Sequence, residues 1–154
     1  RLEGPHGDFF LREDSDKPVV LLAGGTGFAP IKAIIEHAFQ QKSMRPMALY
    51  WGARDRAGLY LHELAEKWAA SYSGFKYVPV LSEAQPGDGW LGRNGLVHRA
   101  VMADFPDLSG HQVYACGAPA MIEAARFDFI SRCGLKNEDF FADAFTFAAE
   151  SINP

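Results

Sequence analysis

The sequence contains Pro18-Val19-Val20-Leu21-Leu22-Ala23-Gly24-Gly25-Thr26-Gly27-Phe28-Ala29-Pro30, an apolar run that stops at a glycine-rich turn. Residues 18–23 predict a strand buried on both faces, because such strands are continuously apolar. Pro30 suits the first turn of a helix, where its missing N–H is not needed. Apolar residues then recur at helical spacing over residues 31–41, at Ile31, Ile34, Ile35 and Ala38.

Strands and helices alternate along the rest of the chain. Further strands are predicted at residues 46–51, 75–81, 112–116 and 140–147. Further helices are predicted at residues 60–70, 96–103 and 118–132, and residues 82–93 are predicted to be a loop. This alternation predicts an α/β fold, a three-layer open parallel sheet of about five strands with helices on both faces. Ligands of such sheets bind beyond the carboxyl ends of the strands, where the strand order reverses.

The composition limits the classes of function. The net charge is −4 and no basic run is present, so nucleic-acid binding is not expected. The apolar runs are too short to span a bilayer, so no membrane partner is expected. Cys116 and Cys133 are too few for a disulfide framework and lack metal-ligand spacing, as is typical of the reducing cytoplasm. His62-Glu63 begins like a zinc-protease motif, but Glu66 replaces the second histidine, so no metal site is expected.

The glycine-rich turn has the chemistry of a pyrophosphate-binding site. Gly24, Gly25 and Gly27 let the backbone turn tightly and approach a phosphate, and the following helix offers free N–H groups and a positive dipole end. A tight turn without a ligand is the alternative. The turn is not a P-loop, because no Gly-Lys-Ser/Thr follows it, and the absence of strict G-x-G-x-x-G spacing disfavours an ordinary Rossmann dehydrogenase.

Two other strand ends carry candidate ligand-binding residues. After the second strand, Asp55 can bond a ribose hydroxyl, while Arg54 can pair with a 2′-phosphate or stack on adenine. A surface ion pair in a turn explains these two residues equally well. At the end of the fourth strand, Cys116 offers a polarizable thiol and Gly117 permits the close approach of a flat ligand. Taken alone, Cys116 is better explained as a buried structural cysteine.

Five short motifs occur in an order that covers nearly the whole chain. They are Gly4-Pro5-His6-Gly7-Asp8-Phe9, Gly24-Gly25-Thr26-Gly27-Phe28-Ala29-Pro30, Tyr50-Trp51-Gly52-Ala53-Arg54, Trp90-Leu91-Gly92-Arg93-Asn94-Gly95 and Tyr114-Ala115-Cys116-Gly117-Ala118-Pro119-Ala120-Met121. Together they resemble the ferredoxin–NADP reductase superfamily, in its bacterial oxygenase-reductase and flavin-reductase branch. The ending Phe141-Ala142-Asp143-Ala144-Phe145 is most similar to reductases that serve deoxysugar dehydrases, such as CDP-6-deoxy-glucoseen reductases.

The resemblance implies roles for individual residues. Thr26 would lie near the nicotinamide and the flavin, and Cys116 would flank the nicotinamide ring where hydride leaves. Phe145 would cover the flavin ring, close to Asp143, where many relatives have Glu. The cofactor-binding residues would be Gly24, Gly25, Thr26, Gly27, Pro30, Gly52, Arg54, Asp55, Arg93, Cys116, Gly117, Ala118, Pro119 and Met121.

The resemblance also implies a larger protein. Residues 1–13 would be the last strand of a flavin-binding barrel that extends upstream, and residues 14–154 would be the NAD(P)H-binding domain. Hydride would pass from NADH to FAD, and electrons would then reach a 2Fe–2S centre, in the same protein or a partner, and an oxygenase or dehydrase. Asp55 favours NADH by repelling a phosphate, whereas Arg54 favours NADPH. A free-flavin NAD(P)H reductase and a non-catalytic nucleotide-sensing module are the alternatives.

Overall fold

A computed structural model describes residues 9–144 of the chain, apart from the side chain of Thr26. The strands are β1 (Val19–Gly24), β2 (Met47–Ala53), β3 (Phe75–Leu81), β4 (Arg93–Asn94), β5 (Gln112–Gly117) and β6 (Phe140–Ala144). The helices are α1 (Phe28–Gln40), α2 (His62–Ser71), α3 (Val97–Asp104) and α4 (Pro119–Cys133). The six strands form one sheet in the order β4-β3-β2-β1-β5-β6, and every neighbouring pair is parallel.

The predicted α/β class and parallel sheet are confirmed, with one strand more than expected. The additional strand is β4, in which Arg93 pairs with Val80 and Asn94 with Leu81. Two residues are too few to show a strand periodicity, so the sequence predicts only a loop that ends at residue 93 and no strand here. Helix α1 begins at Phe28, earlier than predicted, because Pro30 still falls within the first turn, where N–H groups have no partner in the helix.

Side chains of the central strand alternate between two cores. In β1, Leu21 and Ala23 pack in the layer formed by α1 and α2, whereas Val20 and Leu22 pack in the layer formed by α3 and α4. This alternation follows from the two-residue repeat of a strand and accounts for the uninterrupted apolar run. The predicted three-layer arrangement is therefore confirmed. None of the helices within residues 9–144 is both long and apolar enough to cross a bilayer.

The strand order reverses between β1 and β5. The chain moves outward from β1 through β2 and β3 to β4, and then returns to the other side of β1 for β5 and β6. The reversal brings the ends of β1 and β5 together, so that a Cβ added to Gly117 would lie 3.3 Å from Cα of Gly24. An open crevice at this place is the position where sheets of this class bind ligands.

Arg45 ties the segment before β1 to the amino ends of the strands. Its Nε donates to the carbonyl oxygen of Lys17 at 2.9 Å, and its Nη1 donates to that of Arg12 at 2.7 Å. Its Nη2 donates to Oε1 of Gln112 on β5 at 3.0 Å. The described part of this segment therefore packs on the same domain, while the assignment of residues 1–13 to a flavin-binding barrel stays a prediction.

The turn between β1 and α1 touches the backbone of β5. A Cβ added to Gly27 would lie 2.2 Å from the carbonyl oxygen of Cys116 and 2.9 Å from the nitrogen of Gly117. The φ of Gly27 is −64°, which any residue can adopt, so the lack of space is the whole restriction. Only a residue without a side chain lets the turn lie this close to β5.

We therefore expect Gly27→Ala to lower the free energy of unfolding by roughly 1–3 kcal/mol, the usual effect of overpacking a rigid site. Urea unfolding followed by far-UV circular dichroism measures the change. Gly110→Ala is the matched control, because a Cβ at Gly110 would meet no atom of residues 9–144 within 4 Å beyond its chain neighbours. A Gly27→Ala protein as stable as the control would show that the turn can move away from β5.

Candidate functional site

A cleft lies at the carboxyl ends of the central strands, on the side of the sheet that carries α3 and α4. Its volume is about 470 Å³, within the range of roughly 300–1,000 Å³ that is usual for small-molecule sites. Six residues predicted to bind a cofactor line it: Gly24, Gly25, Gly52, Arg54, Ala118 and Met121. Ser82, which follows β3 in a segment predicted to lie near the ligand, also lines it. Sequence reasoning did not single out Leu96, Val97 and His98, which line it from the start of α3, because no motif marks them.

The glycine turn forms one wall of the cleft. Residues Gly25–Gly27 make a short 3₁₀ turn that leads directly into α1, and no described side chain caps either start. Gly25 has a φ of +56°, and a Cβ added there would meet no described atom within 4 Å. The turn therefore presents uncapped N–H groups beside open space, at the positive end of a helix. This arrangement suits a phosphate group.

Trp51 supports the turn from the other side of the sheet. The indole is fully buried among the residues of the α1 and α2 layer. Its Nε1 donates a hydrogen bond to the carbonyl oxygen of Gly25 at 3.0 Å. Its ring stacks on Phe28, the first residue of α1, at a centroid distance of 3.9 Å. Sequence reasoning missed this role, because a tryptophan at a strand end indicates burial but not the partner of its N–H.

Met121 covers the place where the strand order reverses. Its Cε would lie 2.9 Å from a Cβ added to Gly24 and 2.6 Å from one added to Gly117. The thioether therefore occupies the space that two missing side chains leave. Pro119 is the first residue of α4 and Ala118 its N-cap, so these residues set the path of the chain at this end of the cleft.

Cys116 and Asp143 lie side by side on β5 and β6, close to the glycine turn. The two residues are register partners, and both are buried. Burial, and to a lesser extent the charge of Asp143, raises the pKa of the Cys116 thiol to about 12. The thiol is therefore neutral at physiological pH and is a small polarizable group rather than a nucleophile. The side chain of Thr26 and the whole of Phe145 lie outside the described residues, so their predicted roles stay predictions.

The residues that line the cleft do not include Gly27, Cys116, Gly117 and Pro119, which were also predicted to bind a cofactor, and the side chain of Cys116 packs in the α1 and α2 layer. Three further predicted residues do not line it either. Asp55 caps the 3₁₀ turn Arg56–Gly58, where its Oδ1 accepts a hydrogen bond from the Gly58 nitrogen at 3.2 Å. Pro30 lines a separate groove beside Phe10. For Asp55 and Pro30, contact with a cofactor stays a prediction.

The third of these residues, Arg93, is engaged in a network within the domain. Its two terminal nitrogens donate to the carboxylate of Asp104 at 3.1 and 3.2 Å, and one of them also donates to the carbonyl oxygen of Ala100. Tyr50 donates to the same carboxylate at 2.5 Å. The network joins β4 and β2 to the end of α3, and a cofactor contact of Arg93 stays a prediction. Within residues 9–144, no group of three or more His, Cys, Asp or Glu side chains is arranged to hold a metal ion.

Curated relatives match nearly the whole chain. A CDP-6-deoxy-L-threo-D-glycero-4-hexulose-3-dehydrase reductase of Yersinia pestis is 48% identical over 94% of this chain, which spans 43% of that protein. An NAD(P)H-flavin reductase of Aliivibrio fischeri is 40% identical over 95% of this chain and 61% of its own length. The chain therefore spans less than two thirds of each of these relatives.

A solved structure and a family model agree with this likeness. The Amycolatopsis cytochrome P450 reductase GcoB superposes with a TM-score of 0.81 and 34% sequence identity, over 90% of this chain and 41% of that one. The model of the oxidoreductase NAD-binding domain matches residues 21–126, from β1 into α4. That range contains the glycine turn and every residue that lines the cleft. The chain belongs to the oxidoreductase NAD-binding domain family, within the ferredoxin–NADP reductase superfamily.

Proposed function

We propose that the chain is the NAD(P)H-binding part of a flavin-dependent reductase, which moves hydride from NADH to FAD and then electrons to a separate acceptor. The observation that carries the proposal is the uncapped glycine turn, which opens onto the cleft where the strand order reverses. A dinucleotide has one pyrophosphate between two nucleosides. The cleft matches this order, because the backbone N–H groups of the glycine turn lie between lining residues near β2 and lining residues near β5. Nicotinamide and flavin supply the hydride chemistry, and the protein supplies binding and orientation.

We propose that each nucleoside occupies its own end of the cleft, and the strand order supports this arrangement. With the pyrophosphate at the turn after β1, one nucleoside lies toward β2 and β3, beside Arg54 and Ser82. The other lies toward β5, beside Met121 and Ala118. The guanidinium of Arg54 suits a ribose or its 2′-phosphate. The resemblance implies that the nicotinamide lies beside Cys116 on β5, so we propose that the reactive ring lies at the β5 end, although the thiol itself packs in the α1 and α2 layer.

The rest of the proposed reductase would lie outside this chain. FAD would be held by an upstream barrel domain whose last strand is residues 1–13, and a 2Fe–2S centre would lie in the same protein or in a partner. The dehydrase and cytochrome P450 named for the relatives support an acceptor of the dehydrase or oxygenase kind. A cytoplasmic location is part of the proposal, supported by two buried free cysteines.

A free-flavin reductase is the second candidate, and the 40% identity to the flavin reductase of Aliivibrio fischeri favours it. Such an enzyme treats flavin as a substrate and needs no iron–sulfur partner. FAD that co-purifies with the full protein, together with a cysteine quartet in its sequence, would exclude this candidate. A nucleotide-sensing module is the third candidate and differs from both, because it would not turn over NADH.

The proposal is tested by titrating the chain with NADH and NADPH in a calorimeter, and then assaying a fusion that restores the flavin-binding domain. We expect saturable binding of NADH and NADH-dependent reduction of ferricyanide by the fusion. A folded chain that binds neither nucleotide, even in the fusion, would overturn the proposal. Binding without turnover in a flavin-loaded fusion would identify the sensing module instead.

Cys116→Ala should slow hydride transfer about tenfold or more and change the Kd of NADH much less. The expected reason is that the thiol orients the ring rather than holding the nucleotide, and small errors of orientation reduce rates steeply. Stopped-flow reduction of the flavin measures the rate. Cys133→Ala is the control, since Cys133 is also buried but closes the far end of α4. Equal rates in the two variants would make Cys116 a packing residue only.

Arg54→Met should weaken NADPH binding roughly tenfold, the scale of one lost hydrogen bond to a charged group, and should affect NADH less. Arg56→Met is the matched control, because Nη1 of Arg56 donates to the carbonyl oxygen of Asp88 outside the cleft. Calorimetric titration with both nucleotides checks the difference.

Asp55→Asn should leave the ratio of NADH affinity to NADPH affinity unchanged if the carboxylate only caps the turn at Gly58. A shift of that variant toward NADPH would assign the selectivity to Asp55.

A further inference from the structure

We propose that Trp51 is a positioning residue for the dinucleotide pyrophosphate, which it never touches. This inference rests on the proposed function, since it concerns the same cleft. It starts from the hydrogen bond that Nε1 of Trp51 donates to the carbonyl oxygen of Gly25. Trp51 lies in the layer of α1 and α2, and the cleft lies on the opposite side of the sheet.

The hydrogen bond fixes the direction of one N–H group. The peptide between Gly25 and Thr26 is trans, so its carbonyl and its N–H point in opposite directions. Trp51 draws the carbonyl of Gly25 away from the cleft, and the backbone N–H of Thr26 therefore faces toward it. A phosphate in the cleft would meet an N–H donor there rather than a carbonyl oxygen that repels it.

The turn needs such an anchor because of its own composition. Gly25 has a positive φ, and apart from its chain neighbours no described residue lies within 4 Å of the place where its Cβ would stand. Glycine explores many backbone conformations at little cost, so this peptide plane is not fixed by sterics. A single directional contact from a rigid residue can fix it.

The indole is rigid enough to serve as that anchor. Its ring stacks on Phe28 at 3.9 Å with an interplanar angle of 10°. Its second contact is edge-to-face with Tyr60, at 5.3 Å and 87°. Since Phe28 begins α1, one side chain of β2 aligns both the glycine peptide and the start of the helix that follows it.

Trp68 is a comparison residue in the same core, because within residues 9–144 it contributes packing and no hydrogen bond to the turn. It is buried in the same layer and also contacts Phe28, with ring centroids 6.0 Å apart. Its indole makes no hydrogen bond to the glycine turn among the described residues. Trp51→Phe and Trp68→Phe are therefore the same chemical change, and only the first removes the bond to Gly25.

The test measures the Kd of NADH, of ADP-ribose and of adenosine for the chain and for both variants. We expect Trp51→Phe to weaken NADH and ADP-ribose by roughly three- to tenfold, the scale of one hydrogen bond. Both ligands carry the pyrophosphate, so both should lose affinity by the same factor. Adenosine lacks it and should bind unchanged. Trp68→Phe should keep every Kd within about twofold while lowering the melting temperature in a similar way.

A second variant separates the N–H from the shape of the ring. Replacing Trp51 with 3-benzothienylalanine exchanges the indole N–H for sulfur and keeps the fused ring. The same loss of affinity for NADH and ADP-ribose is expected, without loss of folding. Wild-type affinity in this variant, or equal losses in Trp51→Phe and Trp68→Phe, would overturn the inference. A wild-type chain that binds no nucleotide would instead overturn the proposed function.

Discussion

The first turn of α1 lies against the carboxyl end of β5 at a distance that leaves no room for a side chain. The contact between Gly27 and the backbone of Cys116 brings the turn between β1 and α1 against β5. Because of this contact the glycine turn lies at the carboxyl ends of β1 and β5, where the strand order reverses. The cleft, the exposed N–H groups and the neighbouring thiol all take their positions from this one close approach.

The resulting site depends on dipoles more than on charges. Arg54 is the one lysine or arginine among the described residues that line the cleft. The pyrophosphate would be held chiefly by backbone amides and by the positive end of α1, as in other anion sites at helix starts. At the β5 end the thiol of Cys116 is uncharged, because burial raises its pKa.

The sequence predicted the parallel sheet because every strand but one is long enough to show its apolar run. The exception, β4, has two residues and takes its place only by pairing with β3. Local spacing also predicted the glycine turn, since it stands directly after a strand, whereas the cofactor role of Cys116 came from the resemblance alone and stays a prediction. It could not predict that Asp55 caps a turn or that Arg93 pairs with Asp104, because both depend on where distant residues arrive in space. For the same reason the sequence could not predict that the indole N–H of Trp51 donates to the carbonyl oxygen of Gly25.

The glycine turn appears early in the chain, while its support at Cys116 appears late. During synthesis, a chain that ends before residue 112 already has the turn but lacks β5 and the wall contributed by α4. Such an intermediate would not be stabilised by nucleotide, because a ligand stabilises only the form of the protein that binds it. Under the proposed function, nucleotide would therefore stabilise only chains that already include β5 and α4, so the cofactor would be bound after these elements have been made.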